Sequence, residues 1–315
     1  MSEVVGTTVD REDIRRARDR IASHVRVTPV LEAGPGAFGT DASLVLKLEL
    51  LQHTGSFKLR GAFNKMLTSE VPDAGVIAAS GGNFGLAVAY AARALGHRAE
   101  IFVPDTSPAA KIDRVRAQGA EVHVIPGYHP EAAVAAQERV ARSGALWMHP
   151  FDQPEVVAGA GTVALEIATQ VPDADTVLVA IGGGGLIGGV AAWLRGDVRV
   201  VGVEPASCPT MHDALDAGGP VDVEVGGLAA DSLGTRRVGD IAFGLARAFV
   251  ERVVLVDDEA IADAQRMLWR DVHLVAEPGG AASLAALRSR AYRPAPGERV
   301  VALICGANTD PRSVV

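Results

Sequence analysis

The sequence predicts an α/β protein whose parallel sheets are covered by helices on both faces. Three observations carry that expectation. Apolar runs at residues 44–50, 76–79, 99–103, 121–125, 145–148, 176–181, 198–203, 253–256 and 300–304 read as strands. Helical segments, among them 83–95, 108–118, 130–143 and 154–170, lie between most of them. Strands this short and apolar, alternating with helices, are those buried on both faces of a parallel sheet. The third observation is the glycine content, 35 residues, which suits many tight strand-to-helix turns.

Taken in order, residues 1–9 read as a frayed tail. Asp10 can cap a helix reaching about Val25, with Ile14, Ala17 and Ile21 on one face. The alternation then continues to the end of the chain. Its one interruption is at residues 217–235, rich in Gly, Val and Asp, where a long loop is expected. There is no internal repeat and no low-complexity segment. The 315 residues can bury a large core in roughly one to three domains. Hydrophobic content of 48% and charged content of 22% are those of an ordinary globule. A formal net charge of -8 argues against a nucleic-acid partner, because phosphate binding needs a basic face. Cys208 and Cys305 make no disulfide framework. No signal-peptide core opens the chain, and no apolar run approaches the roughly eighteen residues of a membrane span. A soluble cytoplasmic protein with neither membrane nor nucleic-acid partner is expected.

Lysine is scarce. Lys47, Lys58, Lys65 and Lys111 are four of the 30 basic residues, and the other 26 are arginine. Of the two types, lysine alone can lose its proton and attack an aldehyde. Lys58 lies in Thr54-Gly55-Ser56-Phe57-Lys58-Leu59-Arg60-Gly61-Ala62, where a strand-like run gives way to a helical one. The neighbouring Phe57 can cover a planar ring. Taken alone, the segment also admits the lesser reading of a surface lysine on the first turn of a helix.

A second motif, Ala79-Ser80-Gly81-Gly82-Asn83-Phe84-Gly85, joins a strand to a helix. Such a turn presents backbone N–H groups at the positive end of a helix, where a substrate carboxylate is stabilised. Asn83 can also donate its amide to a phenolic oxygen, or act simply as a cap. Farther on, Gly182 to Gly185 and Leu186 follow another strand. Gly183, Gly185 and Gly188 satisfy G-x-G-x-x-G, and Glu204 ends the next strand, about where a ribose-binding acid sits. One reading of residues 182–189 is therefore an NAD-type oxidoreductase. The other is a loop closing round a terminal phosphate, since backbone N–H bonds to a dianion, roughly 1.5–3 kcal/mol each, need no lysine. Glu277-Pro278-Gly279 reads as a helix start. Cys305-Gly306-Ala307-Asn308 follows the last strand, where a cysteine is commonly core.

In this order the four motifs resemble the pyridoxal-phosphate-dependent serine and threonine dehydratases of the tryptophan synthase β-like fold, over nearly the whole chain. The resemblance implies two domains, each a mostly parallel twisted sheet flanked by helices. Residues 1–68 with 152–315 would form the large cofactor-binding domain, and 69–151 the small domain carrying the substrate-carboxylate loop. It implies pyridoxal 5′-phosphate, a homodimer, and elimination of water from L-threonine or L-serine to give a 2-oxo acid and ammonia. Lys58 would bond the cofactor and take the substrate α-proton. Phe57, Asn83, Gly182, Gly183, Gly184, Gly185, Leu186, Glu277 and Cys305 would bind the cofactor. Cys305, a neutral donor at the pyridine nitrogen, would favour elimination. Ser80, Gly81, Asn83 and Phe84 would bind the substrate. The segments 149–152 and 158–162 also match, and read as hinge and packing.

Departures from the family pattern sharpen the reading. Phe84 replaces the usual histidine, and Gly81 stands where racemases carry a second serine as a far-face proton donor. Dehydration is therefore expected over racemisation. Thr210 stands where a carboxylate ligand would be needed, so Glu204 is a weak cation candidate and no metal is expected. Ending at Val315, the chain leaves no room for the regulatory domain of biosynthetic threonine deaminases, and a catabolic role is expected. The alternatives are a racemase or other hydroxy-amino-acid lyase, the oxidoreductase, and a non-catalytic binder.

Overall fold

A computed structural model describes residues 9–34, 36–40 and 42–314. Helix α1 (Arg11–Ile21) opens under a full capping box: the Asp10 side chain accepts from the Glu12 and Asp13 amides, and Asp13 accepts from the Asp10 amide. Ile14, Ala17 and Ile21 are buried, and the helix stops at Ile21 rather than at Val25. Of the expected tail, residues 1–8 lie outside the described residues. Val9 is not frayed but core, because it packs with Val157, Ala158 and Leu245.

After α1 come β1 (Val30–Glu32), β2 (Ser43–Lys47) and α2 (Lys58–Thr68). The middle of the chain runs β3 (Val76–Ala79), α3 (Asn83–Leu95), β4 (Ala99–Pro104), α4 (Ala109–Arg116), β5 (Glu121–Ile125), α5 (His129–Ser143) and β6 (Leu146–Met148). There follow α6 (Pro154–Gln170), β7 (Thr176–Ala180), α7 (Gly185–Leu194), β8 (Arg199–Pro205) and α8 (Thr210–Ala217). The last elements are α9 (Ala230–Leu233), α10 (Asp240–Phe249), β9 (Arg252–Val256), α11 (Asp258–Val272), α12 (Pro278–Arg288) and β10 (Arg299–Leu303).

Two sheets result. The smaller has the order β5-β4-β3-β6 and is parallel throughout. Its alternate residues serve two cores, as strand geometry requires. Val76, Ala78, Ile101 and Val103 pack with α3, while Ile77, Ala79 and Phe102 pack with Ala132 and Ala136 of α5. The larger has the order β1-β2-β10-β7-β8-β9 and is parallel except for the β1–β2 edge pair. Helices α7 and α12 both pack on β7 and β8. Glycines bring α6 against α7: a β-carbon on Gly189 would stand 2.5 Å from the Gly161 nitrogen. The segment 158–162 is packing, as expected.

Two expectations change. The run 44–50 is not all strand: β2 ends at Lys47 and residues Glu49–Leu51 form a 3-10 turn, because Glu49 turns its carboxylate inward to buried Arg60. The loop expected at 217–235 contains α9, whose Leu233 packs against Gly182.

Candidate active site

Lys58 is the first residue of α2, and the end of the larger sheet holds it there. Ser56 bridges to Gly306, the Phe57 amide donates to the Cys305 carbonyl (3.3 Å), and the Ala307 amide donates to the Gly55 carbonyl (2.9 Å). The turn needs Gly55, whose φ is +75° and whose β-carbon would lie 2.8 Å from Asn308 Oδ1. Two residues after Lys58, Arg60 is buried and holds Glu49 through two nitrogens (2.8 and 2.7 Å) and Glu166 through a third contact (2.7 Å). Lys47 closes this cluster on Glu166 at 2.7 Å. Removing one partner of such a buried set costs about 3–5 kcal/mol, so the base of the lysine helix is rigidly set.

The Lys58 amine faces a different environment. Nζ donates to the Pro150 carbonyl (2.9 Å) and lies 5.1 Å from the Phe57 ring centre and 5.9 Å from that of Phe84. Burial pulls its pKa down to about 8, against the weaker opposing fields of Cys305 and Glu277. This amine can be neutral near physiological pH. Phe84 is buried at 2% exposure, with its ring towards the lysine rather than offering a polar group.

The glycine loop packs on the same segment. Phe151, next to Pro150, packs so closely on it that a β-carbon on Gly183 would stand 2.2 Å from the Phe151 ring. Gly184 has φ +91°, and its β-carbon would meet Ala242 at 2.5 Å. Only glycine serves at these positions. Among the described residues, no acceptor takes the amides of Gly182, Gly183, Gly184, Gly185 or Leu186. Unpartnered amides at the N-terminus of α7 form an anion cradle. The unpartnered donors and the neutral-capable amine fit a phosphorylated aldehyde.

The remaining expected residues gather from both sheets. Asn83 is the first residue of α3 with Gly82 as the cap position, so its side chain is free for other work. Its Nδ2 donates to Glu277 Oε1 (2.5 Å), and its Oδ1 accepts from Asn308 Nδ2 (2.6 Å). Glu277 occupies the N-cap position of α12 with Pro278 following, as the sequence suggests, but its side chain makes no capping bond, and burial raises its pKa to about 7. It reaches Asn83 past Gly306, where a β-carbon would collide with Oε1 at 1.9 Å. The Cys305 thiol is buried near the Gly279 carbonyl (3.5 Å), and burial pushes its pKa far up, so it stays neutral. Ser80 and Gly81 precede α3, and the Gly82 amide approaches Ser80 Oγ at 3.4 Å.

Glu204 goes elsewhere. Its two oxygens accept the Met211 (2.7 Å) and His212 (2.9 Å) amides of the first turn of α8. A carboxylate so engaged already has a structural role at the start of α8. The expectation that Gly81 leaves its side of the site without a hydroxyl also changes. Ser107 Oγ lies 2.7 Å from where a Gly81 β-carbon would begin.

Sequence reasoning missed Pro150 and Phe151, read as hinge, and also Asn308 and Arg114. His149 was in the same hinge. Burial lowers its pKa to about 4, and its Nδ1 accepts from the Asp152 amide (2.9 Å). A carbonyl acceptor such as Pro150 leaves no trace in residue type, so no signal could have found it.

The family described as "Pyridoxal-phosphate dependent enzyme" matches residues 21–306. The L-threonine ammonia-lyase of Thermotoga maritima is 38% identical over 304 residues, covering 95% of this chain and 75% of that protein. That of Geobacter sulfurreducens is 39% identical over 307 residues, covering 96% and 76%. Among solved structures, the threonine deaminase of T.th. superposes with TM-score 0.90 at 34% identity, covering 96% of this chain and 99% of that one. Maize serine racemase superposes with TM-score 0.91 at 32% identity, covering 96% and 94%.

Proposed function

The chain belongs to the pyridoxal-phosphate dependent enzymes, and on that premise we propose that it removes water from L-threonine or L-serine. The products are a 2-oxo acid and ammonia. The single observation that carries this reading is the buried, neutral-capable Lys58 amine beside an unpartnered amide cradle. In this reading the amides of Gly182 to Leu186 hold the cofactor phosphate and Phe57 covers the ring. Asn83 would donate at the phenolic oxygen, Glu277 steadies Asn83, and neutral Cys305 would serve the pyridine nitrogen. The cofactor supplies, when bound, a sink for the electron pair of the substrate α-carbon.

The chain's own residues do the rest. Backbone amides at the start of α3, with Ser80 and Gly81, receive the substrate carboxylate, and Phe84 walls the site with an apolar ring. Lys58 would be the point of attachment for the cofactor, and its Nζ, when free and neutral, would take the α-proton. The Cα–H pair becomes the Cα–Cβ double bond, and the β-hydroxyl leaves as water with one proton. The released enamine then hydrolyses in solution.

The division into residues 1–68 with 152–315 and 69–151 is supported by the smaller sheet, whose strands all fall between residues 76 and 148. No helix among the described residues is long and apolar enough to cross a membrane. A cytoplasmic homodimer follows from the family resemblance, and sedimentation of the purified protein tests it. The function itself is tested by 2-oxobutanoate release from L-threonine by a visibly yellow protein. A colourless protein with no turnover on either amino acid would sink the reading.

A further inference from the structure

Helix α4 carries Lys111 and Arg114 one turn apart, and both reach across to the larger-sheet side of the site. Lys111 pairs with Asp231 of α9, and Arg114 donates to Asn308 Oδ1 (2.5 Å). Asn308 Nδ2 then donates to Asn83 Oδ1 (2.6 Å) and to the Thr54 carbonyl (2.9 Å). Asn83 Nδ2 in turn donates to Glu277 Oε1 (2.5 Å). The contacts form one chain: guanidinium, carboxamide, carboxamide, carboxylate.

Such a chain has a direction. Guanidinium only donates, Glu277 Oε1 accepts from Asn83 Nδ2, and a carboxamide has one end of each kind. With Arg114 at one end and Glu277 at the other, a single orientation of both carboxamides satisfies every contact. Linked hydrogen bonds of this type polarise one another. The end that matters is Asn83, whose N–H group must point into the site.

We propose that Arg114 is a positioning residue that acts through Asn308 to fix the orientation of the Asn83 carboxamide. This rests on the reading above, in which Asn83 faces the cofactor. Arg114 lines the pocket it shares with Gly81, Gly82 and Asn83, and its guanidinium is committed to Asn308 Oδ1. It lies on the exposed side of α4, which Lys111 fastens independently, so its replacement leaves the fold intact.

The test uses the full cofactor-loaded protein and two variants. In Arg114→Ala the visible absorption band of the cofactor shifts, and kcat falls about tenfold, the scale of one charge-assisted hydrogen bond, with KM little changed. Arg114→Gln keeps a neutral donor for Asn308 Oδ1 and restores both band and kcat. An Ala variant identical to the unmodified protein would overturn the inference. So would a Gln variant as impaired as the Ala variant, or a loss of turnover matched by loss of bound cofactor, which marks mere structural damage. An unmodified protein with no cofactor band would overturn the parent reading and this inference with it. Failure of Arg114 alone leaves that band in place.

Discussion

Lys47 and Lys58 stand on either side of one turn, both turned inward, and their surroundings make them chemical opposites. Lys47 Nζ donates to the Thr28 carbonyl, Glu166 Oε2 and Gln170 Oε1, each at 2.7 Å. All three of its donors are filled, so its proton is held in place. Lys58 Nζ has one acceptor among the described residues, a neutral carbonyl, and two aromatic rings. Burial lowers both pKa values, but at Lys47 the Glu166 carboxylate pulls directly back. Burial by itself therefore does not make a nucleophile. The difference lies in what the protein leaves unpaired.

The largest expected effect tests that contrast directly. Lys58→Ala loses turnover by at least about a thousandfold, because base and attachment point vanish together. Borohydride reduction followed by peptide mapping places the pyridoxyl group on Lys58. A label on Lys47 would reverse the comparison. Next comes the cradle: Gly184→Asp sets a carboxylate against the phosphate at a φ of +91°, with its β-carbon against Ala242. Cofactor affinity, measured by equilibrium dialysis, falls by several orders of magnitude.

Lys47→Met acts on stability instead. It leaves Glu166 short of one partner and lowers unfolding free energy by about 3–5 kcal/mol in denaturant titration, while borohydride still labels Lys58. Equal stability would mean the cluster tolerates an unpaired buried charge. A subtler separation is by pH. Lys58 in the folded apoprotein titrates near 8 rather than 10.5, so the unfolded chain binds more protons between those values. On this group's account the apoprotein gains stability as pH rises from about 8 towards 10.5, and its rate of capturing cofactor rises through about 8 and then levels. A capture rate flat from pH 7 to 9 would show an amine already neutral.

The smallest effects belong to neutral groups. Cys305→Ser keeps a small uncharged donor and leaves activity within a few-fold, whereas Cys305→Asp, by protonating the pyridine nitrogen, alters product partition. Identical behaviour of the two would make Cys305 packing only. Residual L-serine after partial turnover contains little D-enantiomer if a far-face donor must come from residue 81, since Gly81 has no side chain and the hydroxyl beside it belongs to Ser107. The Ser107 hydroxyl is the group to remove if D-serine does form. Gly81→Ser meets Ser107 Oγ at 2.7 Å, so a trial of induced racemisation needs Ser107→Ala beside it.

Local pattern was enough for much of this molecule. Alternating apolar runs specified parallel sheets, since short strands apolar on both faces have few other homes. Lysine scarcity singled out Lys58, and glycine runs marked both strand-to-helix turns beside it, because only glycine permits those backbone approaches. The antiparallel β1 edge, the end of β2 at Lys47 and the burial of Val9 were not legible, for each depends on a partner distant in the chain. The same holds within the site. That Lys58 is neutral-capable while Lys47 is locked, that Glu204 is taken by α8, and that Pro150, Asn308 and Arg114 converge on the site follow from tertiary contacts. Residue type and spacing specify which groups a chain owns. Whether a group is free to react depends on desolvation and on the partners left to it, and those come into being only when distant segments pack.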